Sequence, residues 1–338
     1  MKLTHLPLAT LTVAAALLAT LTTAPSAQAS APTPTPGPQS LGPARITTAF
    51  ALPGAKVYPE GIAADARTGA VYVGSYADGA VYRARPGQRT AEVFLPAGTD
   101  GRHTANGLRV DARGRLWVTD STAGVAVYDT RTGARLAHFE TGGTGPSFIN
   151  DLTITPDGTA YLTDSVRAVI HRVTPAQLAA GTGTLETAYD LRSALVPHPA
   201  GTFTLNGIVS DRAGRYLVTV DMATGDLYRV DLGTGAVRRV TLDGPALPHA
   251  DGLDLSPDGT LRVAQNTDNT LTRWHLSADG TRARLERTLT DPSLQVPTTL
   301  THVAGRTLVV RSQFDKGGPF DPTNSTPTTF TIASVRAL

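Results

Sequence analysis

Pro59-Glu60-Gly61-Ile62-Ala63-Ala64-Asp65, a turn ending at Gly69, and Val71-Tyr72-Val73-Gly74-Ser75 form the stretch that decides the fold. Two short apolar segments parted by a glycine turn read as a β-hairpin. A third segment follows at Gly79-Ala80-Val81-Tyr82-Arg83 and a fourth at Ala91-Glu92-Val93-Phe94, so the unit holds four short strands. The unit then returns. Ala105-Asn106-Gly107-Leu108 precedes Leu116-Trp117-Val118-Thr119-Asp120, and Ile149-Asn150-Asp151-Leu152 precedes Ala160-Tyr161-Leu162-Thr163-Asp164. Leu205-Asn206-Gly207-Ile208 and Ala250-Asp251-Gly252-Leu253 open two more units, and Pro297-Thr298-Thr299-Leu300 opens a degenerate sixth.

Glu60, Asn106, Asn150, Asn206, Asp251 and Thr298 are the equivalent positions, at intervals of 46, 44, 56, 45 and 47 residues. Four short strands in about 45 residues is the repeat of a β-propeller. No helical pattern of crossover length separates the segments, which argues against a parallel α/β sheet. The sequence predicts an all-β, six-bladed β-propeller. Its sixth unit lacks a fourth strand, whereas Thr47-Thr48-Ala49-Phe50-Ala51-Leu52-Pro53 matches Ala91-Glu92-Val93-Phe94-Leu95-Pro96 at the end of the first unit. Residues 44–51 are therefore expected to supply the outer strand of the last blade, beside a third strand over 329–335. Sharing that blade between the N- and C-terminal strands closes the ring and hides its edges.

The first residues lie outside this plan. Lys2 and His5 precede an apolar run from Leu6 to about Leu21, and Ala27-Gln28-Ala29 follows, the order of a secretory signal peptide. The run is too short for a good membrane anchor, and a chain without cysteine has no site for lipoprotein anchoring. Residues 1–29 read as signal peptide, 30–43 as a Pro-rich linker and 44–338 as the propeller. The chain is expected to be secreted, or periplasmic in a host with an outer membrane. A net charge of +2 with scattered arginines gives no case for nucleic acid. With no disulfide available, burial, closure or a bound metal must stabilise an exported fold.

In a propeller the first strand of each blade lines the central channel, so the six equivalent positions face one axis at one mouth. All six carry a side-chain oxygen. Calcium takes about six to eight hard oxygen donors in a forgiving geometry. Glu60 and Asp251 bring charge, Asn150 and Asn206 bring neutral carboxamide oxygens, and no His or Cys joins them, which argues against zinc. These four are the candidate ligands of a divalent metal, with Ca2+ the expected ion. Asn106 is a candidate substrate contact and Thr298 a structural residue. Asn-Gly and Asp-Gly also serve as plain turn residues, so the argument rests on the set. Asp120, Asp164, Asp221 and Asn266 end or follow second strands at the same mouth and are expected to orient the ring. His103, His198 and His249 precede first strands. His249 is a candidate for proton transfer beside Asp251, and His103 for substrate contact. Asn324-Ser325-Thr326 forms a glycosylation sequon.

Through Pro59-Glu60-Gly61-Ile62, Asn150, Asn206-Gly207-Ile208 and Asp251-Gly252-Leu253, in that order and spacing, the chain resembles the regucalcin (senescence marker protein)/gluconolactonase family. These are calcium-dependent six-bladed propellers related to paraoxonases and diisopropylfluorophosphatase, and the resemblance spans roughly residues 45–335. It implies a divalent metal on Glu60, Asn150, Asn206 and Asp251 and hydrolysis of a lactone or related ester, the metal polarising the carbonyl. It also implies that Asp251 both touches metal and handles a proton, and that Asn106 and Asn150 help orient substrate. Sugar-lactone members carry an arginine two residues before the blade-three Asn. Phe148 stands there in this chain, and with Tyr58 and Phe203 in comparable loops it points to a less polar substrate. The expected partner is a small-molecule lactone or ester, and the expected state a monomer. The competing expectation is a non-catalytic, metal-stabilised propeller that binds a ligand or protein at its mouth. A strictosidine-synthase-like propeller would not need the Glu-Asn-Asn-Asp set, so the intact set counts against it.

Overall fold

The computed structural model describes residues 42–321 and 324–338. The expected signal peptide and residues 30–41 of the expected linker lie outside the described residues.

Blade one consists of Pro59–Ala64, Val71–Ser75, Val81–Ala84 and Glu92–Leu95, each strand antiparallel to the one before. The later blades begin at Leu108–Val110, Ile149–Ile154, Leu205–Ser210, Ala250–Leu255 and Leu300–Val303. Each of these first strands lies against the first strands of both adjoining blades, including blade six against blade one. That closed ring of neighbours is a six-bladed β-propeller with its first strands around one channel.

The closing blade is built as the sequence predicts. Leu300–Val303, Arg306–Val310 and Thr331–Arg336 run outward from the channel, and Arg45–Ala51 completes the sheet on the outside. The long interval between Asn150 and Asn206 also has its reason. Between its third and fourth strands, blade three inserts the short helix Pro175–Ala180, capped reciprocally by Thr174 and Gln177. The strand Thr182–Thr184 follows and pairs in parallel with Arg135–Glu140 of blade two. Thr241–Asp243 likewise pairs in parallel with Arg282–Thr290 of blade five. Both additions cover outer edges that would otherwise be open.

The core is divided into six clusters, one between each pair of adjoining blades. Trp117 of blade two packs with Ile149, Leu152 and Leu162 of blade three. Phe50, Val310 and Ile332 of blade six pack with Ile62 and Val73 of blade one. An inner strand therefore meets a neighbour on both faces, which is why Val71–Ser75 and Tyr216–Asp221 are buried throughout. Only the outer strands keep the alternation of a half-solvated sheet, as Arg282–Thr290 does.

Candidate functional site

The ring residues stand at interruptions in the sheets. In blade one the ladder pairs Pro59 with Ser75 and then Ile62 with Val73, three steps on the first strand against two on the second. The same extra residue occurs between Ile149 and Leu152, between Leu205 and Ile208, and between Ala250 and Leu253. Such a bulge re-aims a side chain. The re-aimed segments hold Glu60, Asn150, Asn206 and Asp251, the four residues the sequence assigns to the metal. In blades two and six the ladder begins later, at Leu108 and Leu300, leaving Asn106 and Thr298 ahead of it.

Close packing at the axis depends on the glycines that follow. A Cβ on Gly61 would stand 1.8 Å from the Asn106 carbonyl oxygen, and one on Gly207 would stand 2.3 Å from that of Asp251. The ring's main-chain oxygens are taken up by neighbouring blades. Thr119 Oγ1 donates to the Asn150 carbonyl (2.6 Å) and Thr163 Oγ1 to the Asn206 carbonyl (2.8 Å). Thr298 Oγ1 donates to the Glu60 carbonyl (2.9 Å), joining blade six to blade one. Thr298 is thus a closure residue and does not line the cavity.

At this mouth lies a cavity of about 330 Å3. Its polar lining is Glu60, Asn106, Asn150, Asn206, Asp251 and Asn266, and its apolar lining includes Tyr76, Phe148, Phe203 and Met222 together with Phe314, Pro319 and Phe320. Larger depressions, such as one of about 700 Å3 bordered by Asp157, Gly214 and Asp279, lie at strand turns away from the ring.

The carboxamides are held by their nitrogens. Asn106 Nδ2 donates to Ser121 Oγ (2.7 Å) and to the Ile149 carbonyl (3.4 Å), and Asn150 Nδ2 donates to Ser165 Oγ (3.0 Å). Asn206 Nδ2 donates to Met222 Sδ (3.4 Å), and Asn266 Nδ2 donates to Asp251 Oδ2 (2.9 Å). Two acceptors, Glu60 Oε2 and Asn106 Oδ1, are buried with no hydrogen-bond partner among the described residues. Burial pushes the Glu60 carboxyl well above the usual carboxylate range, and the negative charges of Asp251 and Asp151 push it further. Asp251 is pushed up to about 7, mainly by burial, against the hydrogen bond from Asn266. Asp151 is raised by burial too, although the Arg109 guanidinium lies 3.1 Å from its Oδ2. Unpartnered oxygens and carboxyls whose ionisation is opposed by burial are what a cation would relieve. Among the described residues no group of three or more His, Cys, Asp or Glu is placed to hold a metal. The available donor set is two carboxyls with carboxamide oxygens, which suits calcium and not zinc.

His249 and His103, expected at the site, stand outside the cavity lining. His249 adopts a left-handed backbone (φ 53) and sets Nδ1 3.2 Å from Asp268 Oδ1, its side chain 55% exposed. The His103 side chain is 77% exposed beside Asp120. Neither lines the cavity. Asp120, Asp164 and Asp221 accept backbone N–H groups of the mouth loops, from His103, Phe148 and Ala223 respectively. The side chains facing the ring are instead Tyr76, Ser121, Ser165, Met222 and Asn266, fifteen or sixteen positions after Glu60, Asn106, Asn150, Asn206 and Asp251 in turn, and Phe314 stands sixteen after Thr298. That constant offset was the available signal, and only Asn266 was anticipated. Phe314, Pro319 and Phe320 were also missed. They sit on the long connection between Arg306–Val310 and Thr331–Arg336, which no other blade repeats. Tyr58 lies outside the cavity and donates its hydroxyl to the Lys316 carbonyl on that connection (3.0 Å).

No curated protein matches the chain at the level of sequence. Among solved structures, the calcium-binding protein regucalcin of Agrobacterium tumefaciens C58 aligns with a TM-score of 0.61 at 18% identity, covering 83% of this chain and 90% of that one. A gluconolactonase of Xanthomonas campestris aligns at 0.60 and 17%, over 88% and 90%. A streptogramin B lyase aligns at 0.58 and 14%, over 87% and 97%. At these identities the likeness shows the fold alone. The family model of the SMP-30/gluconolactonase/LRE-like region matches residues 58–310, from just before Glu60 to the second strand of blade six. The chain belongs to the SMP-30/gluconolactonase/LRE-like family.

Proposed function

We propose that the chain is an exported, divalent-metal-dependent hydrolase of lactones or related esters, with Ca2+ as its ion. The observation that carries this reading is the pair of unpartnered buried oxygens, Glu60 Oε2 and Asn106 Oδ1, lining the same cavity as Asp251. Buried acceptors without donors are costly unless a ligand engages them. Glu60, Asn150, Asn206 and Asp251 would hold the ion, and Asn106 would turn its oxygen to the ion or to a substrate beside it. When bound, the ion would polarise a substrate carbonyl and stabilise negative charge on its oxygen. Membership of a family that includes gluconolactonases supports the reaction class, and the Met1–Ala29 pattern supports export.

The chain's own residues divide the remaining work. The ionised Asp251 carboxylate accepts a proton from water as the water oxygen bonds to the carbonyl carbon, while Asn266 Nδ2 fixes that carboxylate by donating to its Oδ2. As the acyl carbon–oxygen bond breaks, that proton passes to the departing alkoxide. The Asn106 carboxamide, tied to Ser121, presents a fixed oxygen, and the aromatic side chains above keep bulk water off the carbonyl.

Assays of the purified chain against lactones and aryl esters should show turnover with calcium, loss after EDTA and recovery when calcium is restored. Asp251→Ala should lower kcat/KM by about a hundredfold or more. Equal rates with calcium, with EDTA and in Asp251→Ala would overturn the proposal. A melting temperature lowered by EDTA with no turnover of any lactone or ester would favour the non-catalytic alternative.

A further inference from the structure

Above the polar floor, the walls of the cavity are aromatic on two sides. On one side Phe148 and Phe203, in the loops leading into blades three and four, stack edge to face with ring centroids 4.9 Å apart. On the other, Phe314 and Phe320 of the long blade-six connection stack edge to face at 5.4 Å, and Tyr76 of blade one lies 5.5 Å from Phe314. Phe203 and Phe320 are each 44% exposed, so the mouth keeps large apolar side chains in contact with solvent. Exposed apolar surface gathered at one opening marks a recognition surface.

These walls are held in place. The Phe148 N–H donates to Asp164 Oδ1 (3.1 Å), the Phe320 N–H donates to the Phe314 carbonyl (2.9 Å), and Tyr58 pins the same connection at the Lys316 carbonyl. Among the described residues no Lys or Arg lines the cavity, and its amides and carboxyls are those of the buried ring residues and Asn266. A polyhydroxylated ring entering here would leave its hydroxyls against phenylalanine faces without partners, which is unfavourable. A molecule with one carbonyl and an apolar remainder would satisfy both surfaces.

We propose that the substrates are lactones or esters with an apolar acyl or alkoxy group, aryl or medium-chain alkyl, and that Phe148, Phe203, Phe314 and Phe320 determine this preference. The assignment rests on the hydrolase reading for its reaction but not for its ligand class, so the test separates the two. Calcium-loaded protein is titrated calorimetrically with two lactams, which resist hydrolysis: a δ-lactam bearing a phenyl group and glucono-δ-lactam. The phenyl lactam should bind at least about tenfold more tightly. Phe203→Ala with Phe320→Ala, both at the solvent edge where folding is least disturbed, should weaken the phenyl lactam at least about fivefold and leave glucono-δ-lactam unchanged. Unchanged thermal unfolding of the double variant certifies its fold, and Phe148→Leu supplies a milder second variant with an intermediate loss. Glucono-δ-lactam binding as tightly as the phenyl lactam, failure of both to bind, or an unaltered ratio in the variants would overturn the assignment. Turnover of the matching lactones is read separately: selective lactam binding without turnover would retain the ligand class and overturn the hydrolase.

Discussion

Glu60 and Asp251 place two carboxyls in one buried space, and each is pushed upward mainly by burial. In the metal-free chain this arrangement opposes folding once the groups ionise. At these two carboxyls the folded state binds more protons than the unfolded state between the ordinary carboxylate range and about pH 7, so their contribution lowers metal-free stability as pH rises through that window. Melting curves in EDTA from about pH 6 to 7, above the range in which the depressed surface carboxylates titrate, should show that decline, and calcium should remove most of it. Proton release on calcium binding, measured in buffers of different ionisation enthalpy, should accompany the effect. The neutral isostere separates charge from shape. EDTA-treated Glu60→Gln should melt above the EDTA-treated parent at pH 7, whereas calcium should raise the melting temperature of the parent and barely that of the variant. A parent and variant with the same calcium response would remove Glu60 from the ion's ligands.

The bulged first strand is the element that makes the site, and the sequence disclosed it only partly. Register across the repeats located Glu60, Asn150, Asn206 and Asp251 because every blade reuses one position for the channel. The bulges themselves were hidden, since one extra residue on one strand leaves no mark in an apolar pattern that is already buried on both faces. His249 misled for a related reason. Sequence proximity to Asp251 does not fix direction, and a left-handed backbone at His249 turns its ring onto Asp268. Tyr58 and Val296 take the same conformation two residues before Glu60 and Thr298, so the approach to three of the six ring positions is made through non-glycine residues in a strained region. The glycines offer a test of how tightly the strands are drawn together. Gly207→Ala would force a Cβ against the Asp251 carbonyl at 2.3 Å, and should cost about 2 kcal/mol or more while weakening calcium binding. At Gly305 nothing lies within 4 Å and only the left-handed backbone (φ 71) is strained, so Gly305→Ala should cost about 1 kcal/mol and leave calcium affinity intact. Urea unfolding and calcium titration of the two variants would check both.

For the whole molecule, the repeat count and the shared last blade were legible because strand number and edge protection constrain a closed ring so strongly. The outer additions at Thr182–Thr184 and Thr241–Asp243 were not, because each borrows an edge from a blade to which its own sequence gives no pointer. Closure makes a testable division at the N-terminus. Removing residues 1–43 should leave melting temperature and calcium response unchanged. Removing residues 1–54 strips away Arg45–Ala51 together with buried Phe50 and Leu52, and should lower the melting temperature by about 10 °C or more or leave the chain aggregated. Equal melting of the two truncations would show that the outer strand does not secure the ring.

The pairing of Arg45 with Arg336 also sets an order of events. Synthesis delivers Arg45–Ala51 about 280 residues before its partner Thr331–Arg336, and contacts so distant in sequence form slowly. Until Thr331–Arg336 emerges, blades one and six meet through their inner strands and the Thr298–Glu60 hydrogen bond, and the outer side of that seam has no clasp. A nascent or C-terminally clipped chain should therefore hold the proposed cation less tightly than the closed propeller does. Occupancy of the proposed site would then report that Thr331–Arg336 has joined its sheet.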